Sequence, residues 1–70
     1  MDDIRKRFGQ RVRQLRTKRG LTQVVLAERL GIDRSYLASI ERGGRNVSLL
    51  NLQVFADGFG LTLSQLFSKL

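Results

Sequence analysis

Apolar residues recur along this chain of 70 residues at the three- and four-residue spacings of amphipathic helices, and strand-like alternation is lacking. A first helix, from about Asp2 to Lys18, has a stripe of Ile4, Phe8, Val12 and Leu15. A fourth helix, after Ser48, has a stripe of Leu49, Leu52, Phe55, Ala56 and Phe59. A short fifth helix carries Leu66 and Phe67. With two further helices between the first and the fourth, the pattern predicts an all-α, five-helix fold.

Residues 23–42, QVVLAERLGIDRSYLASIER, form the centre of this pattern. They read as two short helices with apolar stripes of Leu26 and Leu30 on the first, and Leu37 and Ile40 on the second. Ala27 is small where a second helix must cross closely, and Gly31 suits a turn position with positive φ. This arrangement is typical of a helix-turn-helix, whose second helix enters the DNA major groove.

Capping residues mark the predicted helix boundaries. We expect N-caps at Thr22, Asp33 and Ser48, and a capping box formed by Thr62 and Gln65. Asp2 and Asp3 suit the positive end of the first helix. Gly9 lies in the middle of that helix, where glycine costs about 1 kcal/mol relative to alanine, so it predicts close packing.

Composition limits the chemistry of the chain. There is no Cys and no His, which excludes disulfides and Cys/His metal sites. Six scattered acidic residues and the lack of a Gly-rich phosphate loop argue against an enzyme, and we expect no cofactor and no small-molecule effector. A core of this size leaves a stability margin of only about 3–5 kcal/mol, so dimerisation is expected.

The net charge of +7 is distributed unevenly. Residues 1–46 hold twelve of the thirteen basic and five of the six acidic residues, whereas residues 47–70 hold only Lys69 and Asp57. The basic end suits a polyanion or is simply a solvated surface, and the helix-turn-helix within it favours DNA. No apolar run exceeds four residues and the first residues lack a hydrophobic leader segment, so we expect a cytoplasmic protein without a membrane span.

Five segments resemble the Cro/lambda-repressor-type helix-turn-helix domains, also called the xenobiotic-response-element-like family. They are RQLR with Arg16, GLTQ (residues 20–23), LAERLGI (26–32), SYLASIERG (35–43) and LTLSQLF (61–67). Within the family, IDRSYLASIERGGRN is most similar to stand-alone controller proteins of restriction–modification systems. The resemblance implies a lambda-repressor-like fold with the helix-turn-helix at helices two and three, in a single DNA-binding domain of residues 1–70.

Arg34 is the first candidate for reading DNA sequence. It begins helix three, where side chains of a recognition helix reach base edges, and a guanidinium can bridge O6 and N7 of guanine. The alternative is a solvated arginine. Ser35, Tyr36 and Ser39 lie on the exposed side of the same helix, where they contact bases or phosphates or are ordinary surface.

Phosphate contacts are expected at both edges of the motif. Thr22 and Gln23 open helix two, where backbone N–H groups favour an anion, although capping alone also explains Thr22. The family resemblance implies that Gln23 bonds a backbone phosphate. Arg42, Arg45 and Asn46 follow helix three and suit the flanking DNA backbone; Arg45 also suits a narrow minor groove.

Other residues have expected structural roles. The resemblance implies a partly buried ion pair between Arg16 and Glu41 that joins helices one and three. The remaining basic residues of helix one are expected to form a solvated face: Arg5, Lys6, Arg7, Arg11 and Arg13. The neutral tail suits a two-fold dimer interface formed by Leu50, Val54, Leu61, Leu63 and Phe67.

Together these features predict a sequence-specific transcriptional regulator. A homodimer would bind double-stranded DNA at an inverted-repeat operator with half-sites about 34–36 Å apart. Repression would follow from blocking RNA polymerase, and activation would need a contact with the polymerase. The alternative is an antitoxin or a partner-binding adaptor that uses the helix-turn-helix fold mainly for protein interaction.

Overall fold

The computed structural model describes residues 3–70, and every regular element in this range is an α-helix. The helices are α1 Ile4–Lys18, α2 Gln23–Leu30, α3 Arg34–Glu41, α4 Leu49–Phe59 and α5 Leu63–Phe67. The predicted five-helix, all-α fold is therefore confirmed. Asp2, the predicted first residue of α1, lies outside the described residues. None of the five helices has the length and apolar content needed to cross a membrane.

Most helix boundaries follow from local capping. The side chain of Asp3 caps α1, and Thr22, Ser48 and Thr62 each accept a hydrogen bond from the backbone N–H three residues later. The predicted capping box of Thr62 and Gln65 is present. Gly31 ends α2 with a φ of 69° in the left-handed region, as its predicted turn requires.

Asp33 departs from this pattern. Its backbone occupies the N-cap position of α3, but its side chain makes no capping hydrogen bond. Instead, its Oδ2 accepts a hydrogen bond of 2.7 Å from the Ser35 hydroxyl. The predicted N-cap position of Asp33 is therefore confirmed, but its carboxylate bonds the Ser35 hydroxyl instead of a backbone N–H group of α3.

One buried cluster of apolar side chains joins all five helices. Phe8 of α1 meets Phe55 of α4 edge to face, with 5.7 Å between ring centroids. Two predicted members of the apolar stripes lie outside the cluster: Ile4 is 53% exposed and Leu49 is 76% exposed. Each is the first residue of its helix and therefore lies at the margin of the core.

Gly9 is the point of closest approach between α1 and α3. A Cβ atom at this position would lie 2.7 Å from the carbonyl oxygen of Glu41 and would also collide with that of Ile40. Only glycine lets the two backbones approach this closely, and the predicted close packing is confirmed. The approach sets the position of α3 relative to the rest of the domain.

Candidate nucleic-acid interface

Helix α3 buries one side and exposes the other. Leu37, Ala38 and Ile40 are buried against the remaining helices. Arg34 and Ser35 are exposed at its first turn, and Tyr36 and Ser39 are half-buried. The outward side of α3 therefore offers a guanidinium and hydroxyl groups, which are the chemical groups used to contact base edges and phosphates.

Arg16 and Glu41 form the ion pair that ties α1 to α3. Nε of Arg16 lies 2.7 Å from Oε2 of Glu41, and Nη2 donates to Oε1 at 3.0 Å. The third nitrogen, Nη1, donates to the carbonyl oxygen of Leu21 at 2.9 Å. The side chains are only 12% and 5% exposed. The hydrogen bonds to the Glu41 carboxylate raise the pKa of Arg16 above its ordinary value.

Gln23 connects this ion pair to the exposed start of α3. Its Nε2 donates to Oε1 of Glu41 at 3.2 Å, and its Oε1 accepts from Nη1 of Arg34 at 3.4 Å. A chain of hydrogen bonds thus runs from Arg16 through Glu41 and Gln23 to Arg34. Sequence reasoning missed this connection, although Gln23 and Arg34 are the first residues of the two helices in the motif.

Tyr36 and Arg45, predicted as separate DNA contacts, contact each other. The guanidinium carbon of Arg45 lies 5.4 Å from the centre of the Tyr36 ring, which is within cation–π range. The Tyr36 hydroxyl accepts a hydrogen bond of 3.0 Å from Nδ2 of Asn51 in α4. Tyr36 therefore joins α3, α4 and the loop between them and holds Arg45 beside the recognition helix.

The other predicted DNA contacts lie at the edges of the motif. Thr22 is exposed, and its hydroxyl oxygen accepts the hydrogen bond that caps α2. Ser39 accepts a hydrogen bond of 3.3 Å from Nη2 of Arg42. Arg42, Arg45 and Asn46 are all exposed. All nine predicted residues thus lie in three adjoining segments: the start of α2 with its cap, α3, and the α3–α4 loop.

Arg11 is the one residue of the predicted solvated face of α1 that is half-buried, whereas the other four, among them Arg7, are exposed. Arg11 donates from Nε to the carbonyl oxygen of Leu66 at 3.0 Å and from Nη2 to that of Gln65 at 2.9 Å. Arg7 donates to the carbonyl oxygen of Leu70 at 3.0 Å. These groups hold the last turn of α5 against α1, because a helix end offers carbonyl oxygens without helical partners.

Arg19, just after α1, binds the end of α4 in the same way. Its Nη2 donates to the carbonyl oxygen of Phe59 at 3.0 Å, and its guanidinium carbon lies 5.0 Å from the centre of the Phe59 ring. Nothing local in the sequence indicates these contacts, since the paired residues are 40 to 63 positions apart.

The predicted interface residues differ in exposure. Leu50 is 75% exposed and so is available to a second subunit. Leu49, which was assigned to the core, is exposed next to it. The other predicted residues are half-buried and pack against the core: Val54, Leu61, Leu63 and Phe67. Within residues 3–70, no cluster of three or more acidic, His or Cys side chains could hold a metal ion.

Comparison with known proteins agrees with this geometry. Residues 12–66 match the helix-turn-helix family model. Control protein C.MunI from a Mycoplasma species is 48% identical over 71 aligned positions, which cover all of this chain and 96% of that protein. The restriction–modification controller protein C.AhdI from Aeromonas hydrophila has a crystal structure similar to this fold, with a TM-score of 0.83 and 48% identity. The match covers 89% of this chain and 94% of that one.

A second solved structure includes DNA. The restriction–modification controller protein C.Esp1396I, crystallised as a tetramer with its natural 35-base-pair operator, matches with a TM-score of 0.85 and 25% identity. The match covers 96% of this chain and 88% of that one. The resemblance noted in the sequence is confirmed by these matches. The chain belongs to the Cro/lambda-repressor-like helix-turn-helix family of DNA-binding regulators.

Proposed function

We propose that this protein is a sequence-specific transcriptional regulator that binds an inverted-repeat operator as a homodimer. The observation that carries the proposal is the support of Arg34 at the start of α3. Its guanidinium is exposed to solvent, and Nη1 is hydrogen-bonded to Gln23, which is in turn bonded to the buried Glu41. An arginine oriented in this way suits bidentate contact with a guanine in the major groove.

The phosphate contacts in this proposal surround the base-reading groups. Thr22 and Gln23 lie at the N-terminal end of α2, where backbone N–H groups and the helix dipole favour a phosphate. Arg42, Arg45 and Asn46 face the flanking DNA from the far end of α3. Ser35, Tyr36 and Ser39 complete the contact surface along α3. In this role the second N–H of Gln23 Nε2 would donate to a phosphate oxygen while the first remains bonded to Glu41.

The proposed dimer interface centres on the exposed pair Leu49 and Leu50 at the start of α4. Adjacent leucines that are about three-quarters exposed are a liability for a lone subunit, and a two-fold contact would bury them. The half-buried residues Val54, Leu61, Leu63 and Phe67 would extend the contact towards α5. We therefore propose that residues 1–70 act as one domain in which α5 contributes to dimerisation.

The similarity to C.MunI and C.AhdI supports a more specific role. We infer that this protein controls genes of a restriction–modification system in the cytoplasm. Its level in the cell would then govern operator occupancy without a small-molecule effector. Activation would require contact with RNA polymerase from an upstream site, whereas repression would require only that the polymerase be blocked.

Selection from random duplex DNA, combined with the mass of the complex in solution, tests this proposal. We expect an enriched inverted repeat with half-sites about 34–36 Å apart, bound by two or more subunits. Leu50→Glu should lower the affinity for the operator by preventing dimerisation, and Gln10→Glu is the control with the same charge change at an exposed position of α1 outside the proposed interface. Salt-sensitive binding without an enriched motif would contradict sequence-specific recognition.

A further inference from the structure

A basic cleft lies beside α1, apart from the residues proposed to contact DNA. It encloses about 720 Å³ and is lined by Arg11, Lys18, Arg19 and Lys69, with Leu15 and Leu61 among the remaining residues. No acidic side chain of residues 3–70 lines it. We propose that this basic cleft binds an acidic peptide segment of a partner protein.

The cleft is on a different side of α1 from α3. Gly9 and Arg16 of α1 contact α3, whereas Arg11 and Lys18 each follow one of them by two residues. At about 100° per residue, two residues correspond to about 200° around the helix axis. Arg11 and Lys18 therefore face away from α3, and we expect them to stay accessible to a partner when a duplex is bound along α3.

The positive charge of the cleft is not neutralised, and its two arginines are held in place. Arg11 and Arg19 are held by the carbonyl oxygens of α5 and α4, which carry no net charge. Neither Lys18 nor Lys69 forms an ion pair within residues 3–70. Because the guanidinium groups of Arg11 and Arg19 are already ordered, these side chains lose little conformational entropy when they pair with an incoming carboxylate.

The apolar residues and the symmetry of a dimer indicate which partner fits. The half-buried Leu61, beside the buried Leu15, offers an apolar surface to a leucine-like side chain between carboxylates. A phosphodiester backbone has no such side chain. A second copy is disfavoured, because a two-fold contact centred here would place the same four cations opposite one another. An acidic peptide with an apolar residue would match both the positive charge of the cleft and its apolar surface.

Fluorescence anisotropy of a labelled Glu-Glu-Leu-Glu-Glu peptide, with the full chain at physiological salt, tests the proposal. Reversing both lysines in Lys18→Glu/Lys69→Glu should weaken binding about tenfold. The control is Lys6→Glu/Arg29→Glu, which has the same net charge but alters exposed residues outside the cleft, in the first turn of α1 and on α2. It should retain peptide affinity within about threefold, because distant exposed charges are screened. Replacing the central Leu of the peptide with Gly should also weaken binding.

Amide chemical shifts locate the bound peptide. We expect changes at Lys18, Leu61 and Lys69, with α3 unaffected, and retention of the peptide when duplex DNA is added. Equal losses in the two double variants would show attraction to net charge alone and would overturn the proposal. Displacement by DNA, shifts along α3, or binding of a second duplex in the cleft would also overturn it. DNA selection is measured separately, so either proposal can fail without the other.

Discussion

Two parts of the molecule, the α2–α3 motif and the α4–α5 region, are attached to α1 by different means. The motif is joined to α1 by a charged pair, Arg16 with Glu41, and by the close approach at Gly9. The α4–α5 region is joined by arginines that donate to neutral carbonyl oxygens at helix ends. In the first case the two charges cancel, whereas in the second the arginines keep their charge. Arginine therefore stabilises the fold in both regions, but only the arginines that bind the α4–α5 region add positive electrostatic potential at the protein surface.

Removing Glu41 tests the attachment of the motif and has the largest expected effect. Glu41→Ala leaves the Arg16 guanidinium buried without its carboxylate and should lower the free energy of unfolding by about 3–5 kcal/mol. Chemical denaturation measures the loss. Glu28→Ala is the control, because Glu28 is an exposed acid on α2. In a cycle with Arg16→Met, the double variant should lose less than the sum of the single variants; additive losses would contradict the coupling.

Arg34→Ala tests the exposed edge of the motif. It should weaken binding to the selected operator by about 1–3 kcal/mol and relax preference at one position of each half-site, because a base contact is lost. Arg45→Ala, which removes a proposed phosphate contact, should weaken binding to operator and random duplexes by similar factors. Titrations of both duplexes measure the difference. Equal weakening of the two duplexes by Arg34→Ala would exclude base reading by this side chain.

The attachment of α5 is tested by Arg11→Met. Loss of the hydrogen bonds to the carbonyl oxygens of Gln65 and Leu66 should lower the free energy of unfolding by about 1–2 kcal/mol. Arg13→Met removes the same charge from an exposed position of α1 and should change stability by less than about 0.5 kcal/mol. Thermal denaturation at equal protein concentration compares them. If the two variants are equally stable, the guanidinium of Arg11 does not hold α5.

The smallest expected effect concerns the exposed ion pair between Arg5 and Asp3. The side chain of Arg5 donates hydrogen bonds to Asp3 and, with the Lys6 backbone N–H, holds the pKa of that carboxyl below its usual value of 3.8. A lowered pKa stabilises the fold above the usual pKa, and this contribution is lost as the pH falls through the lowered value. Arg5→Ala should shift the Asp3 pKa upward in an NMR titration, whereas Arg13→Ala should leave it unchanged.

Local sequence patterns predicted most of the fold but little of its long-range attachment. The caps at Thr22, Ser48 and Thr62 and the left-handed turn at Gly31 depend on residues close in sequence, so they could be located in advance. Periodicity did not reveal that Leu49 is exposed, because a helical stripe does not show where the core ends.

In the candidate site, too, the position of a residue could be predicted from the sequence, whereas its long-range contacts could not. The position of Arg34 at the start of α3 followed from the motif. Its hydrogen bond to Gln23 depends on how α2 and α3 cross, which residue spacing does not specify. The bond from Arg11 to Leu66 joins residues 55 positions apart, so it could be seen only once α1 and α5 were placed together.

The close approach at Gly9 has a consequence for how this regulator can evolve. Backbone lies against backbone at that point, so no gradual change of side-chain size at Gly9 can alter the orientation of α3. A substitution there either separates α1 from α3 or is rejected. If α3 reads the operator as proposed, new operator preferences would arise by exchange of its outward residues while its orientation stays the same. The orientation of α3 would then be conserved among related regulators, whereas its proposed DNA contacts would differ.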